Sequence, residues 1–182
     1  MIYGDRIRFR AAERSDLPTF VKWFNDPEVR QNLSMNLPMS LASEEKWFEA
    51  MLGRPSAEQV RVIEVLLEDG QTWHMIGNCS LMGIDWINRS AEFGIVIGEK
   101  TEWNKGYGTK AAQLMLQHGF TTLNLYRIML RVFATNSRAI RAYEKAGYVL
   151  EGRQREAVFL DGKFVDVLMM SVLRPEWEAR NE

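Results

Sequence analysis

The sequence has little of what several classes of protein require. Its 182 residues include one cysteine, Cys79, which excludes an internal disulfide and is typical of a reducing compartment. No apolar run approaches the roughly 18 residues of a membrane-spanning helix, and Asp5 and Arg6 interrupt the N-terminus too early for a signal peptide. The net charge of −1 supplies no field for nucleic acid or an anionic membrane. These absences predict a cytoplasmic protein with neither of those partners.

The composition and length of the chain are those of an ordinary globular enzyme. Hydrophobic residues make up 46% of the chain and charged residues 26%, which is typical of a folded domain. The length is sufficient to bury a sizeable core. We therefore expect a single domain over residues 1–182.

The most informative stretch runs from Ala91 to Ala111. Residues 93–97 form a β-branched apolar run, which predicts a strand buried on both faces. Gly106 and Gly108 follow in a loop, and residues 109–122 have helical periodicity. The first turn of a helix leaves backbone N–H groups unpaired, and glycine lets an anion approach them closely. This junction therefore predicts a phosphate site.

Residues 106–111 also match the dinucleotide fingerprint GxGxxA. That motif needs its first glycine directly after the strand and an acid about 20 residues further on. Here several residues separate Ile97 from Gly106, and the next strand ends at Asn136 without an acid. Dinucleotide binding therefore stays open only as a weak alternative.

Elsewhere the sequence predicts the elements that would surround this junction. Residues 28–39 lack a clear period and are interpreted either as a surface loop or as a wall of a substrate pocket. The predicted strands are 6–10, 60–68, 73–86, 127–133, 156–160 and 163–173, and the predicted helices begin near Ser15 or Asp16, Ser40 and Asn136.

The order of strand, loop, xxGxG, helix and strand resembles the GCN5-related N-acetyltransferase (GNAT) superfamily. That resemblance implies an α+β fold with a mixed, largely antiparallel central sheet flanked by helices. The segments that carry it are Trp23–Val29, Trp103–Gly108, Asn136–Ile140, Lys145–Tyr148, Glu151–Gly152 and Asp161–Lys163.

Within the superfamily the pattern is most similar to the RimJ/RimL kind, which acetylates N-terminal amines of ribosomal proteins. Trp103 stands where the general pattern has glutamine or arginine, and tryptophan occurs there in the RimJ/RimL kind. Residues 91–173 also resemble spermidine N-acetyltransferase. The resemblance thus implies an acetyl-CoA-dependent N-acetyltransferase in which the amine attacks directly in a ternary complex. Its acceptor would be a protein N-terminal amine or, alternatively, a polyamine.

The same resemblance assigns candidate residues to the co-substrate. Backbone N–H groups of the strand would hold the acetyl carbonyl and pantetheine, and those of the loop would hold the phosphates with help from Lys105 or Lys110. The predicted cofactor-binding residues are Ile95, Val96, Ile97, Trp103, Asn104, Lys105, Gly106, Tyr107, Gly108, Thr109, Asn136, Arg138, Ala139, Tyr143 and Lys145. No metal is expected.

Tyr143 and Glu92 are the predicted catalytic residues. The family tyrosine at this position points at the coenzyme A sulfur, and a phenol can protonate a departing thiolate. Glu92 would accept the amine proton through water or hold a cationic acceptor. Each also has an ordinary structural interpretation, as a core aromatic and a solvated strand-end carboxylate. Cys79 is interpreted as buried and inert.

The sequence leaves three questions open. Acidic candidates for a polyamine pocket are Asp26, Glu28, Glu44, Glu45 and Glu92, and the sequence does not show whether they converge. A non-catalytic acyl-CoA sensor is a further alternative of another class. The C-terminal hairpin and six tryptophans leave room for a homodimer.

Overall fold

A computed structural model describes residues 1–35 and 37–181. Within those ranges the chain forms eight strands and six α-helices. The strands are β1 (Ile2–Gly4), β2 (Ile7–Ala11), β3 (Arg61–Leu66), β4 (Trp73–Asp85), β5 (Ser90–Ile97), β6 (Arg127–Phe133), β7 (Val149–Leu160) and β8 (Lys163–Leu173). The helices are α1 (Leu17–Asn25), α2 (Pro27–Arg30), α3 (Leu41–Leu52), α4 (Tyr107–Thr121), α5 (Ser137–Ala146) and α6 (Arg174–Asn181).

All eight strands join one sheet in the order β1-β2-β3-β4-β5-β6-β8-β7. Every neighbouring pair is antiparallel except β5 and β6, which are parallel because α4 crosses between them. The predicted α+β fold with a mixed, largely antiparallel sheet is therefore confirmed.

Helices cover both faces of the sheet. Val62 and Ile63 are neighbours on β3, so their side chains point to opposite faces, and they belong to two separate buried clusters. The cluster around Ile63 includes residues of α4, such as Leu116, and the cluster around Val62 includes Phe20 of α1 and Phe48 of α3. The sheet is thus held between two helical layers.

Most predicted elements are confirmed, and the differences have physical causes. Ser40 caps α3 by accepting from the Ser43 N–H, and Gly147 ends α5 at φ 110°. Residues 27–30 form a single helical turn at the start of the segment interpreted as a surface loop or a pocket wall, because the Asp26 side chain caps it. Val29, Asn32, Leu33 and Ser34 of that segment border a cavity. Asn36, which lies in the same predicted segment, is outside the described residues.

Strand β1, helix α6 and the first half of strand β7 are not anticipated from the sequence. Strand β7 begins at Val149, seven residues before the predicted start, and nearly all of it is exposed. An exposed edge strand carries no buried face, so it lacks the apolar alternation on which strand prediction depends.

The prediction that β5 is buried on both faces is wrong beyond Phe93. Ala91 and Phe93 are buried, but residues 94–97 are only partly so. The reason is that this half of the strand borders a cavity. On its other edge it packs closely against β4, since a Cβ on Gly77 would lie 2.1 Å from the Val96 carbonyl oxygen.

No helix among the described residues is long and apolar enough to cross a membrane. The cytoplasmic location stays a prediction.

Candidate active site

A cavity of about 820 Å³ opens where β5 and β6 diverge. The parallel pairing of these strands ends at Glu92 and Met129, whereas β5 stays paired with β4 as far as Ile97. Beyond Glu92, the edge of β5 that faces β6 has no strand partner among the described residues. Its backbone groups are therefore available to a ligand.

The loop before α4 forms one end of this cavity. Asn104 and Gly106 both adopt left-handed conformations, at φ 62° and 85°, and α4 starts at Tyr107. No heavy atom lies within 4 Å of the place where Gly106 would carry a Cβ, and a Cβ on Gly108 would come no closer than 3.9 Å to Ala142. Alternating left-handed and right-handed residues turn successive N–H groups to one side. The loop has the shape expected of an anion cradle.

Trp103 anchors this loop to β5. Its indole Nε1 donates to the Ile97 carbonyl oxygen at 2.8 Å, and the Arg138 guanidinium lies 3.7 Å from its ring centroid. Arg138 forms no ion pair with any described residue, and burial lowers its pKa. A cation stacked on an aromatic ring without a carboxylate partner can accept an anionic ligand.

Tyr143 contacts the cavity from α5. It shares one helix face with Ala139 and Ile140, as predicted, and all three pack against the core. Its ring centroid lies 5.8 Å from that of Tyr148. Burial raises the pKa of Tyr143 to about 12, so the phenol is fully protonated at neutral pH.

Asn136 performs the helix-cap role that the sequence allows. Its Oδ1 accepts from the Ala139 N–H at 3.1 Å at the start of α5. Its side chain also borders the cavity. Because that oxygen has a second lone pair, the cap leaves the residue able to contact a ligand.

Glu92 has a partner that the sequence did not suggest. Arg131 Nε donates to Glu92 Oε1 at 2.9 Å, and Arg131 Nη2 donates to Oε2 at 3.3 Å. Both residues border the cavity. Arg131 lies 39 positions from Glu92 in the sequence. The two residues come together because β5 and β6 pair over three positions that end at Glu92 and Met129.

The structure brings together most of the predicted site residues and leaves some outside. Lys105 does not border the cavity, because its ammonium contacts Glu102, and Lys110 pairs instead with Asp5 at 2.8 Å. The predicted residues that line the cavity are Glu92, Ile95, Val96, Ile97, Trp103, Asn104, Gly106, Tyr107, Gly108, Thr109, Asn136, Arg138, Ala139, Tyr143 and Lys145.

The acidic candidates do not converge. Of the five named from the sequence, Glu92 alone lines the cavity. Asp26 and Glu28 instead contact Lys100, at 2.8 and 3.5 Å. Arg54 also lines the cavity, as do the neutral polar residues Asn32, Ser34, Asn78, Ser80 and Gln154.

Cys79 is buried in the core, and burial raises the pKa of its thiol. A thiol that cannot ionise at neutral pH is a poor nucleophile. Burial also lowers the pKa of His118. Neither residue borders the cavity, and no group of three or more metal-ligating residues is found in the described ranges.

The model of the acetyltransferase (GNAT) domain family matches residues 6–149. The chain belongs to this family. It is an N-acetyltransferase that uses acetyl-CoA, and the dinucleotide alternative is therefore wrong. The cavity suits acetyl-CoA because its lining includes the open glycine loop, the unpaired edge of β5 and the arginine that stacks on Trp103.

Two relatives and a solved structure support this placement. An uncharacterized N-acetyltransferase, p20 of Bacillus licheniformis, is 29% identical over 177 residues, which is 97% of each chain. Spermidine N(1)-acetyltransferase of Vibrio cholerae is 37% identical over 117 residues, covering 64% of this chain and 66% of the relative. A crystal structure of the Vibrio cholerae spermidine N-acetyltransferase in complex with CoA and spermine has a TM-score of 0.86, with 29% identity over 96% of this chain and 99% of that one.

Proposed function

We propose that this enzyme acetylates a polyamine, with spermidine as the first candidate acceptor. The observation that carries the proposal is the likeness to the spermidine N-acetyltransferase whose structure contains CoA and spermine, which extends over 96% of this chain. The relatives support this alternative better than the protein N-terminal amine that the RimJ/RimL resemblance favours.

The acceptor amine must first lose a proton, since an alkylammonium has a pKa of about 10. Glu92 is the carboxylate that borders the cavity where β5 and β6 diverge, and it takes this proton directly or through one water. The neutral amine then attacks the thioester that acetyl-CoA supplies. A carbon–nitrogen bond forms and the carbon–sulfur bond breaks.

The unpaired edge of β5 stabilises the negative charge that develops on the thioester oxygen. Backbone N–H donors aimed at such an oxygen contribute about 10²–10³-fold in rate. Tyr143 then gives its phenolic proton to the departing thiolate. A thiolate that leaves beside this buried phenol also loses hydration, which raises the pKa of the thiol and lessens the mismatch with a phenol of pKa about 12.

A panel of acceptors tests the proposal. We expect spermidine and spermine to be acetylated with a higher kcat/KM than N-terminal peptides or an amino sugar. Glu92→Gln should lower kcat/KM for spermidine by about tenfold or more. Glu178→Gln is the matched control, since Glu178 also pairs with an arginine, at 2.8 Å, but lies on α6 outside the cavity.

One observation favours a second candidate. The opening between β5 and β6, which we call the acceptor end of the cavity, contains Arg131 and one carboxylate, Glu92. Arg54 also lines the cavity, and an unpartnered ammonium group is costly to bury. An acceptor with one ammonium and several carbonyl groups, such as a peptide N-terminus, would suit these charges. A kcat/KM on peptides far above that on spermidine would reject the polyamine proposal in favour of this candidate.

A further inference from the structure

Arg131 and Glu92 meet in the opening between two diverging strands. Glu92 lies opposite Met129, and Arg131 follows Met129 by two positions, so its side chain emerges on the same face of β6. The guanidinium engages both carboxylate oxygens, at 2.9 and 3.3 Å. The side chain of Arg131 is 58% exposed and that of Glu92 is 27% exposed.

This pair dominates the charge of the acceptor end. Glu102, the other carboxylate that lines the cavity, lies beside the glycine loop and contacts Lys105. Arg54 adds a further positive charge to the lining of the cavity. A cationic acceptor thus meets one suitable carboxylate, and both oxygens of that carboxylate already accept from Arg131.

We propose that Arg131 is a displaceable counter-ion of Glu92 that determines specificity for cationic acceptors. This inference rests on the proposed polyamine function. In the free enzyme Arg131 neutralises Glu92 and holds it at the strand opening. A cationic acceptor takes over the carboxylate, and Arg131 turns outward into solvent, where more than half of its side chain already lies.

The proposal predicts a change in binding with little change in turnover. Exposed ion pairs contribute little to stability, so an incoming ammonium can replace the guanidinium. The pair is already open in the ternary complex, so its removal leaves kcat nearly unchanged. Loss of Arg131 also removes a like charge near the acceptor, and this benefit grows with the number of charges the acceptor carries.

The test compares Arg131→Gln with Arg153→Gln. Arg153 pairs with Asp166 at 2.6 Å with closely similar exposures, 59% and 25%, but does not border the cavity. At saturating acetyl-CoA we expect Arg131→Gln to lower KM for spermidine about threefold to fivefold. The decrease in KM should be smaller for a monoamine such as butylamine, and kcat should change less than twofold. Arg131→Glu should lower KM for spermidine further. The control should leave every parameter within twofold.

An unchanged or higher KM for spermidine in a folded Arg131→Gln variant would overturn the proposal. A higher KM confined to peptides would show instead that Arg131 contacts the acceptor's carbonyl or carboxylate groups. If the wild-type enzyme does not acetylate spermidine, the polyamine function fails separately, and the same variants are measured on the amine that the panel identifies. A KM that rises or stays unchanged on that amine overturns the counter-ion role.

Discussion

Replacing Tyr143 with phenylalanine is expected to lower kcat by about 10²–10³-fold while leaving KM for acetyl-CoA nearly unchanged. The substitution removes the phenolic proton donor, and positioned general acids contribute about 10²–10⁴-fold in rate. The ring itself is retained, so its packing on the core stays intact. Steady-state kinetics on purified wild-type and variant enzyme measure the effect.

Tyr148→Phe is the matched control. Its hydroxyl is buried, has no hydrogen-bond partner among the described residues and does not border the cavity. Removing an unsatisfied buried hydroxyl is close to neutral for stability, so activity should stay within twofold of wild type. Equal losses in the two variants would assign Tyr143 a packing role.

The pH dependence separates proton donation from packing. The phenol donates only while it is protonated, and burial raises the pKa of Tyr143 to about 12. The phenol therefore contributes to the rate at any pH below about 12, and this contribution is lost above that pH. The ratio of wild-type to Tyr143→Phe rates should stay constant from about pH 7 to 10. A ratio that falls above about pH 9.5 would indicate a phenol of ordinary pKa.

Replacing Gly106 with valine is expected to weaken acetyl-CoA binding by about 10²-fold. At φ 85° a β-branched residue is severely strained, so the loop must rearrange. One or two charge-assisted hydrogen bonds to phosphate would then be lost, each contributing about 1.5–3 kcal/mol. Calorimetric titration with acetyl-CoA measures the change in dissociation constant.

Two companion variants separate obstruction from strain. Gly70→Val introduces the same residue at φ 69° with no atom within 4 Å of its Cβ, in the turn between β3 and β4 away from the cavity. It should bind acetyl-CoA as wild type does. Gly106→Asn tolerates the left-handed conformation but places a side chain in the cradle, so it should still weaken binding. If both Gly106 variants bound acetyl-CoA with wild-type affinity, the loop would not be the phosphate site.

The junction of β5, loop and α4 could be predicted because its signals are local. A strand pattern, two glycines and a helical period follow one another between residues 93 and 122, and the family motif adds the cofactor. The cap at Asn136 and the helix face of Tyr143 follow from helical spacing in the same way.

The acceptor end could not be predicted because its contacts are long-range. Arg131 reaches Glu92 across 39 residues. This contact depends on where β5 leaves β6, and nothing in either strand's sequence marks that point. Acidic residue type alone also does not identify the pocket residues, since Asp26 and Glu28 pair with Lys100.

Thermal unfolding with acetyl-CoA tests most directly the claim that this cavity holds the co-substrate. Ligand at about 100 times its dissociation constant adds roughly 2.7 kcal/mol of stability. For a chain of this length that raises the unfolding midpoint by roughly 5–10 °C. If the cavity holds acetyl-CoA, the shift appears with acetyl-CoA and not with NAD or ATP. It is lost in Gly106→Val but not in Gly70→Val. A shift with NAD instead, or an equal shift in both valine variants, would contradict this claim.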